Sequence, residues 1–179
     1  MKILILNPIL YTADNNTIPK VKSIKDTMIY NMCLGFKSLG HDVTLAAAAD
    51  YKPVEFEEYE FDVKWLKTEC HKLCPPSVLP YSKELNTFLK ENSANFDMVV
   101  TSEIFSLWSF AATRICPEKT VIWHELALHP NKFHQLPSKV WYHFVAKHLM
   151  NKVLVVPRSE DAKFFVKQYM QHVTDVCVE

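Results

Sequence analysis

"LGFKSLGHDVTLAA" (residues 34–47) joins two patterns at a single glycine. Upstream, in "DTMIYNMCLGFKSLG" (residues 26–40), Met28, Ile29, Met32, Cys33, Phe36 and Leu39 recur at helical spacing. Gly40 stands where a left-handed residue ends a helix, because it has no Cβ to resist a positive φ. Downstream, "HDVTLAAA" (residues 41–48) reads as a strand. Further back, "KILIL" (residues 2–6) is a continuous apolar run, as expected of a parallel strand buried on both faces. A strand, a long loop from Asn7 to about Lys25, a helix and a second strand therefore open the chain.

The alternation continues to the end. "FDVKWL" (residues 61–66) is a third strand, and Ser82 is placed to cap a helix through about Asn92, with Leu85, Phe88 and Leu89 inward. "DMVVTS" is a fourth strand, after which Ser102 is placed to cap the helix "EIFSLWSFAATRI", ending before Pro117. "KTVIWH" is a fifth strand. Ser138, after Pro137, starts a helix that carries Val140, Trp141, Phe144, Val145 and Leu149. "KVLVV" (residues 152–156) is a sixth strand, Ser159 caps a helix through Tyr169, and "VTDVCV" (residues 173–178) is a seventh strand. Such alternation predicts right-handed crossovers, and so an α/β Rossmann-like parallel sheet of about seven strands with helices on both faces. Ligands of such sheets bind outside the carboxyl ends of the strands. That directs attention to residues 7–25, Ser102 and Glu103, residues 124–135 and residues 157–159.

Composition excludes several functions. Lys plus Arg and Asp plus Glu are both 20, so the charge balance does not argue for nucleic-acid binding. Lys132, Lys139, Lys147 and Lys152 do fall in one region with histidines among them. A solvated helix face accounts for them; the other reading is a surface that touches anionic lipid or phosphate. No segment approaches the roughly 20 apolar residues of a membrane span, and Asn7 and Pro8 interrupt the first run too early for a signal peptide. A cytoplasmic location is expected. The glycines are Gly35 and Gly40 alone, so no dinucleotide fingerprint, Walker A loop or nucleophile elbow can be written. Five cysteines in that setting read as free thiols. "CHKLC" (residues 70–74) lacks a second ligand pair for zinc. A cysteine hydrolase is disfavoured, since Cys116 precedes Pro117 at a helix end and Cys177 falls in a strand, neither of them an activating position.

"VIWHELALHPNKFHQL" (residues 121–136) holds His124, His129 and His134. A zincin needs histidines at i and i+4 on one helical face. Here the second comes one residue late, and Pro130 follows at once, so no metal is expected. His124 ends the fifth strand at the ligand edge, where it can donate a hydrogen bond or act as a base. The other reading is a histidine packed under a loop, and position alone leaves both open. His129 and His134 are expected on the loop surface, and Glu125 is expected to point away from His124.

Several of these stretches, taken in order, resemble the N-terminal domain of a GT-B fold glycosyltransferase of the retaining family 4 (glycosyl transferases group 1). They are "KILILNP" (residues 2–8), "LGFKSLGHDVTLAA", "FDMVVTSEIFSLW" (residues 96–108), "KTVIWHELAL" (residues 119–128) and "NKVLVVPRSEDAKFFVKQY" (residues 151–169). The resemblance covers essentially the whole chain. It implies one half of a GT-B fold, residues 1–179 forming the acceptor-side Rossmann-like domain. The donor-binding second domain, with its Glu-x7-Glu motif, lies outside this sequence. In that family the histidine after the fifth strand lies in the active cleft, which makes His124 the catalytic candidate. Asn7, Asn15, Asn16, Lys22, Ser102 and Glu103 become acceptor-binding candidates, while Ser159 only caps its helix. The partners implied are a nucleotide-sugar donor held through the second domain, a saccharide or lipid-linked acceptor, and a peripheral contact at the inner face of the membrane. No cofactor is expected. Many family members carry a Gly-Gly pair before the first helix, whereas "PKVKSIKD" (residues 19–26) has no glycine, which leaves open whether that loop touches the donor. The alternative is a non-catalytic, stand-alone α/β module that binds a sugar or nucleotide.

Overall fold

The computed structural model describes residues 1–11, 17–129 and 135–177. Asn15, Asn16, Lys132 and His134 lie outside the described residues. The chain forms two compact units, Met1–Val99 and Val100–Glu179. The strands are β1 (Lys2–Leu6), β2 (Asp42–Ala48), β3 (Asp62–Leu66), β4 (Met98–Ser102), β5 (Thr120–His124) and β6 (Leu154–Pro157). They form one all-parallel sheet in the order β3-β2-β1-β4-β5-β6, flanked by helices. This is the Rossmann order.

The expected α/β class is thus observed, with six strands among the described residues instead of about seven. Val173 makes a single parallel bridge to Val155, with Val155 N–H donating to His172 O and Thr174 N–H to Val155 O. Among the described residues the pairing ends at that bridge, and just beyond it the Thr174 hydroxyl donates locally to Val176 O at 2.9 Å.

In the first unit, β1 and β2 bury both faces: Ile3 and Leu4, and Leu45 and Ala46, point to opposite sides and are all wholly inaccessible. Their register runs from Lys2 opposite Asp42 to Leu6 opposite Ala46. The outer strand β3 alternates exposed and covered residues, as an edge strand with one wet face does. Helix α1 (Met28–Ser38) is capped by Thr27, whose hydroxyl accepts from Tyr30 N–H. Gly40 adopts φ 82°, Gly40 N–H donates to Lys37 O and His41 N–H to Phe36 O, the two bonds of a Schellman cap. The Phe36 and His41 rings sit 6.3 Å apart across it. Ile29, Tyr30 and Cys33 form the buried face of α1, while Met28 and Leu39 are exposed. Helix α2 (Lys83–Asn92) is capped by Ser82 and buries Leu85 and Leu89.

In the second unit, helix α3 (Leu107–Ile115) starts later than expected. Its cap is Ser106, whose side chain accepts from Ser109 N–H, because Ser102 is still in β4 and Glu103 turns the chain with φ 65°. Helix α4 (Leu136–Val140) begins with Pro137 in its first turn and continues as a π-helix, Trp141–Met150. Of the apolar residues read on this helix, Trp141 and Val145 pack partly against the core. Ser138, Tyr142, Ala146 and Met150 are buried, whereas Val140, Phe144 and Leu149 face outward. Helix α5 (Glu160–Val166) is capped by Ser159, with Glu160 and Asp161 in its first turn, where the helix dipole favours them. The core of this unit joins Ile104, Ile122, Tyr142, Ala146, Met150, Val155, Phe165 and Val166.

Candidate functional site

The carboxyl ends of β4, β5 and β6 carry one polar network, all of it within the second unit. Glu103, the first residue past β4, holds a left-handed conformation that non-glycine residues rarely adopt. Its N–H donates to Trp123 O at 2.8 Å, so the turn is tied to β5. That turn aims the Glu103 carboxylate along the end of β5. Oε1 accepts from Glu125 N–H at 2.9 Å, and Oε2 lies 2.9 Å from His124 Nδ1. The second contact is close but lacks the alignment of a hydrogen bond.

Glu125 faces the opposite way from His124, as strand alternation requires. Its Oε1 accepts from Trp123 Nε1 and its Oε2 from Arg158 Nη1, both at 2.9 Å. Arg158, just past β6, also donates its backbone N–H to His124 O at 2.9 Å. The ends of β4, β5 and β6 are therefore cross-linked by two carboxylates and one guanidinium.

His124 itself is completely buried, stacked at 15° on Phe165 and edge-on to Tyr142, with centroids 6.1 and 6.3 Å away. Among the described residues, both His124 ring nitrogens, Glu103 Oε2 and the Tyr142 hydroxyl are buried without a hydrogen-bond partner. Glu103 Oε2 and His124 Nδ1 lie against each other, but His124 Nε2 and the Tyr142 hydroxyl have no such neighbour, and a buried atom of that kind costs about 1–3 kcal/mol of desolvation. Burial, aided by the Glu103 charge and by Tyr169, pushes the Tyr142 phenol well above its ordinary range, so this hydroxyl keeps its proton and remains a donor.

His129 is half-buried, where a loop-surface position was expected. Its Nδ1 lies 3.0 Å from the Ser138 hydroxyl and its Nε2 3.1 Å from the Tyr169 hydroxyl. Its ring packs edge-on to Phe165 and Tyr142 at 5.0 and 5.2 Å. Burial, with smaller contributions from Lys139 and His143, holds its pKa below the usual histidine value.

The structure thus brings Glu103 and His124 together, with Ser102 preceding Glu103 at the end of β4. Ser102 ends β4, and its carbonyl accepts from the Ser109 hydroxyl at 3.0 Å. Asn7 and Lys22 belong to the first unit. Asn7 follows β1 and donates its N–H to Ala46 O, and Lys22 is exposed beside the buried Val21. The loop around Lys22 is tied down by Glu57, which accepts from the Ser23 hydroxyl at 2.5 Å and from Ile24 N–H at 3.3 Å. Sequence reading missed Glu125 and Arg158 as members of the network, and Tyr142 and His129 as its neighbours. The position of Arg158 right after a strand was the available signal. For Tyr142 there was none, because its place depends on which helix face turns inward.

Burial pushes the Cys33 thiol up to about 12 and also raises that of Cys116, so neither is an activated nucleophile. At "CHKLC", the Thr68 hydroxyl donates to Asp50 Oδ2 at 2.5 Å and sits 2.8 Å from His71 Nε2. Among the described residues no group of three or more His, Cys, Asp or Glu side chains is placed to hold a metal ion. No described helix is long and apolar enough to cross a membrane. No protein-family model matches the chain, and no curated protein matches it.

Proposed function

We propose that this chain is the acceptor-binding N-terminal half of a retaining GT-B glycosyltransferase, which moves a sugar from a nucleotide-sugar to a saccharide or lipid-linked acceptor. Two observations support the reading: the ordered resemblance of its motifs, and a Rossmann strand order whose ligand edge carries Glu103, His124, Glu125 and Arg158. The observation that carries it is the buried group of Glu103, His124 and Tyr142 at the strand ends, in which His124 Nε2 and the Tyr142 hydroxyl have no hydrogen-bond partner among the described residues. Buried donors and acceptors in that position suit the hydroxyls of a sugar, which both give and accept hydrogen bonds. In this reading Glu103 accepts from an acceptor hydroxyl, His124 faces the transferred sugar, and Tyr142 donates. Phe165 and Tyr142 must shift for a ligand to reach His124, since the imidazole is fully covered.

The test is titration of the isotope-labelled chain with saccharides and nucleotide-sugars, followed by NMR. The expected result is that saccharides shift the amides of Glu103 and Glu125 and the His124 ring, that Glu103→Gln and His124→Gln weaken binding, and that nucleotide-sugar is not turned over. Robust turnover by this chain alone overturns the half-enzyme reading.

The complete burial of His124 favours one second reading, a non-catalytic module that binds a sugar or nucleotide, in which the histidine only packs the core. Saccharide binding left unchanged by His124→Gln selects that reading.

A further inference from the structure

Helix α4 and its π-helical continuation show two rows of side chains at four-residue spacing. Ser138, Tyr142, Ala146 and Met150 face inward. Leu136, Val140 and Phe144 occupy the opposite row, 65%, 49% and 65% exposed, and Leu149 beside it is 47% exposed. An outward row of three large apolar residues is the reverse of an ordinary surface helix. One flank of this row is Lys139, His143 and Lys147, all exposed.

Charge around the row has one sign. Residues 126–159 contain no Asp or Glu, but they contain Lys132, Lys139, Lys147, Lys152 and Arg158. Lys139, Lys147 and Lys152 form no ion pair among the described residues. Elsewhere in the unit Glu125 pairs with Arg158, Glu160 with Lys163 and Asp175 with Lys167.

We infer that this helix face docks on an anionic phospholipid bilayer. The helix lies along the interface with Leu136, Val140 and Phe144 at the boundary of the acyl chains. Lys139 and Lys147 extend from its flank to the lipid phosphates, their stems covering apolar surface and their ammonium groups staying in the polar layer. A second copy of the chain fits this face poorly, because the acid-free run of one copy would meet the same cations of the other. A bilayer supplies what the face lacks, a continuous apolar layer under a sheet of negative charge. The inference stands on this face alone and does not depend on the transferase reading.

The test is co-sedimentation of the chain with vesicles of phosphatidylcholine, with and without phosphatidylglycerol. The chain is expected to pellet with the phosphatidylglycerol vesicles only, and less as salt is raised, since the Debye length shortens. Replacing Leu136, Val140 and Phe144 together by Ser is expected to weaken binding at least about tenfold. Lys139→Ser and Lys147→Ser are each expected to weaken it about fivefold. All these positions are exposed. Circular dichroism checks folding, and if the triple variant does not fold, the lysine variants decide. Failure to pellet with anionic vesicles at low salt overturns the inference, as does a folded triple variant that pellets like the wild type, or Lys139→Ser and Lys147→Ser variants that both do so. Self-association of the wild type, abolished by the triple variant, assigns the face to a second copy and also overturns it.

Discussion

Helix α2 and the helix of residues 136–150 follow opposite rules. In α2 the apolar spacing points to the buried face: Leu85 and Leu89 are the side chains that α2 buries, and Ser82 caps its start. In residues 136–150 Leu136, Val140 and Phe144 face out, Trp141 and Val145 pack partly against the core, and a row that begins with a serine and a tyrosine is fully buried. The difference lies in what the inner surface offers. Ser138 finds His129 there, and Tyr142 finds the rings of Phe165, His129 and Tyr169 at about 5 Å. Small Ala146 lies between them and Met150 in the same core. Ring packing for Tyr142 and a partner for the Ser138 hydroxyl outweigh apolar spacing here, even though the Tyr142 hydroxyl itself has no hydrogen-bond partner among the described residues.

That contrast can be broken by substitution. The largest effect is expected at the inner row, where Met150→Ala should cost about 2–5 kcal/mol in urea denaturation, because it leaves a cavity in a closed core. At the outer row Phe144→Ser should change stability by no more than about 0.5 kcal/mol, as for other exposed sites. Equal losses at the two positions would show that the faces are assigned the wrong way round. Between these extremes, Ser106→Ala should cost about 1 kcal/mol by removing the α3 cap, which tests the late start of that helix. Gly40→Ala should also cost about 1 kcal/mol. No atom crowds the added Cβ, so that loss measures the positive φ alone.

The smallest effect is expected from pH. His129 has a folded pKa below its unfolded value, since burial disfavours the imidazolium. The unfolded chain then binds the proton more readily than the folded one. Stability from this group is therefore complete above about pH 6.5 and declines as the pH falls through that value. The melting temperature should drop between pH 7.5 and pH 5.5 by a few degrees at most, and His129→Gln should flatten the slope. A slope unchanged in that variant would assign the effect elsewhere.

The sheet was largely legible from local pattern. The runs "KILIL", "DVTLAAA" and "MVVTS" need no context, because a strand buried on both faces must be apolar throughout. The Schellman cap at Gly40 was legible because a single residue type answers a single backbone requirement. The seventh strand was not, since its alternation suits pairing but among the described residues the pairing ends at the bridge of Val173 to Val155. In the candidate site, Glu103 and His124 were legible from their place after β4 and β5, although the contact between them was not. His129 was misread because a histidine in a loop gives no sign of Ser138, nine residues on, or of Tyr169, forty residues on.

Local sequence, then, determined the alternation of strands and helices, three of the helix caps and the edge of the sheet where polar residues gather. These depend on backbone geometry and on spacing within one turn or one strand. Tertiary structure alone decided that Glu103 bends back on His124, that Arg158 closes the network through Glu125, and that Phe144 faces outward. Each of these joins residues that are distant in the chain, or a choice between two helix faces. Such outcomes depend on which polar atoms find partners once water is excluded.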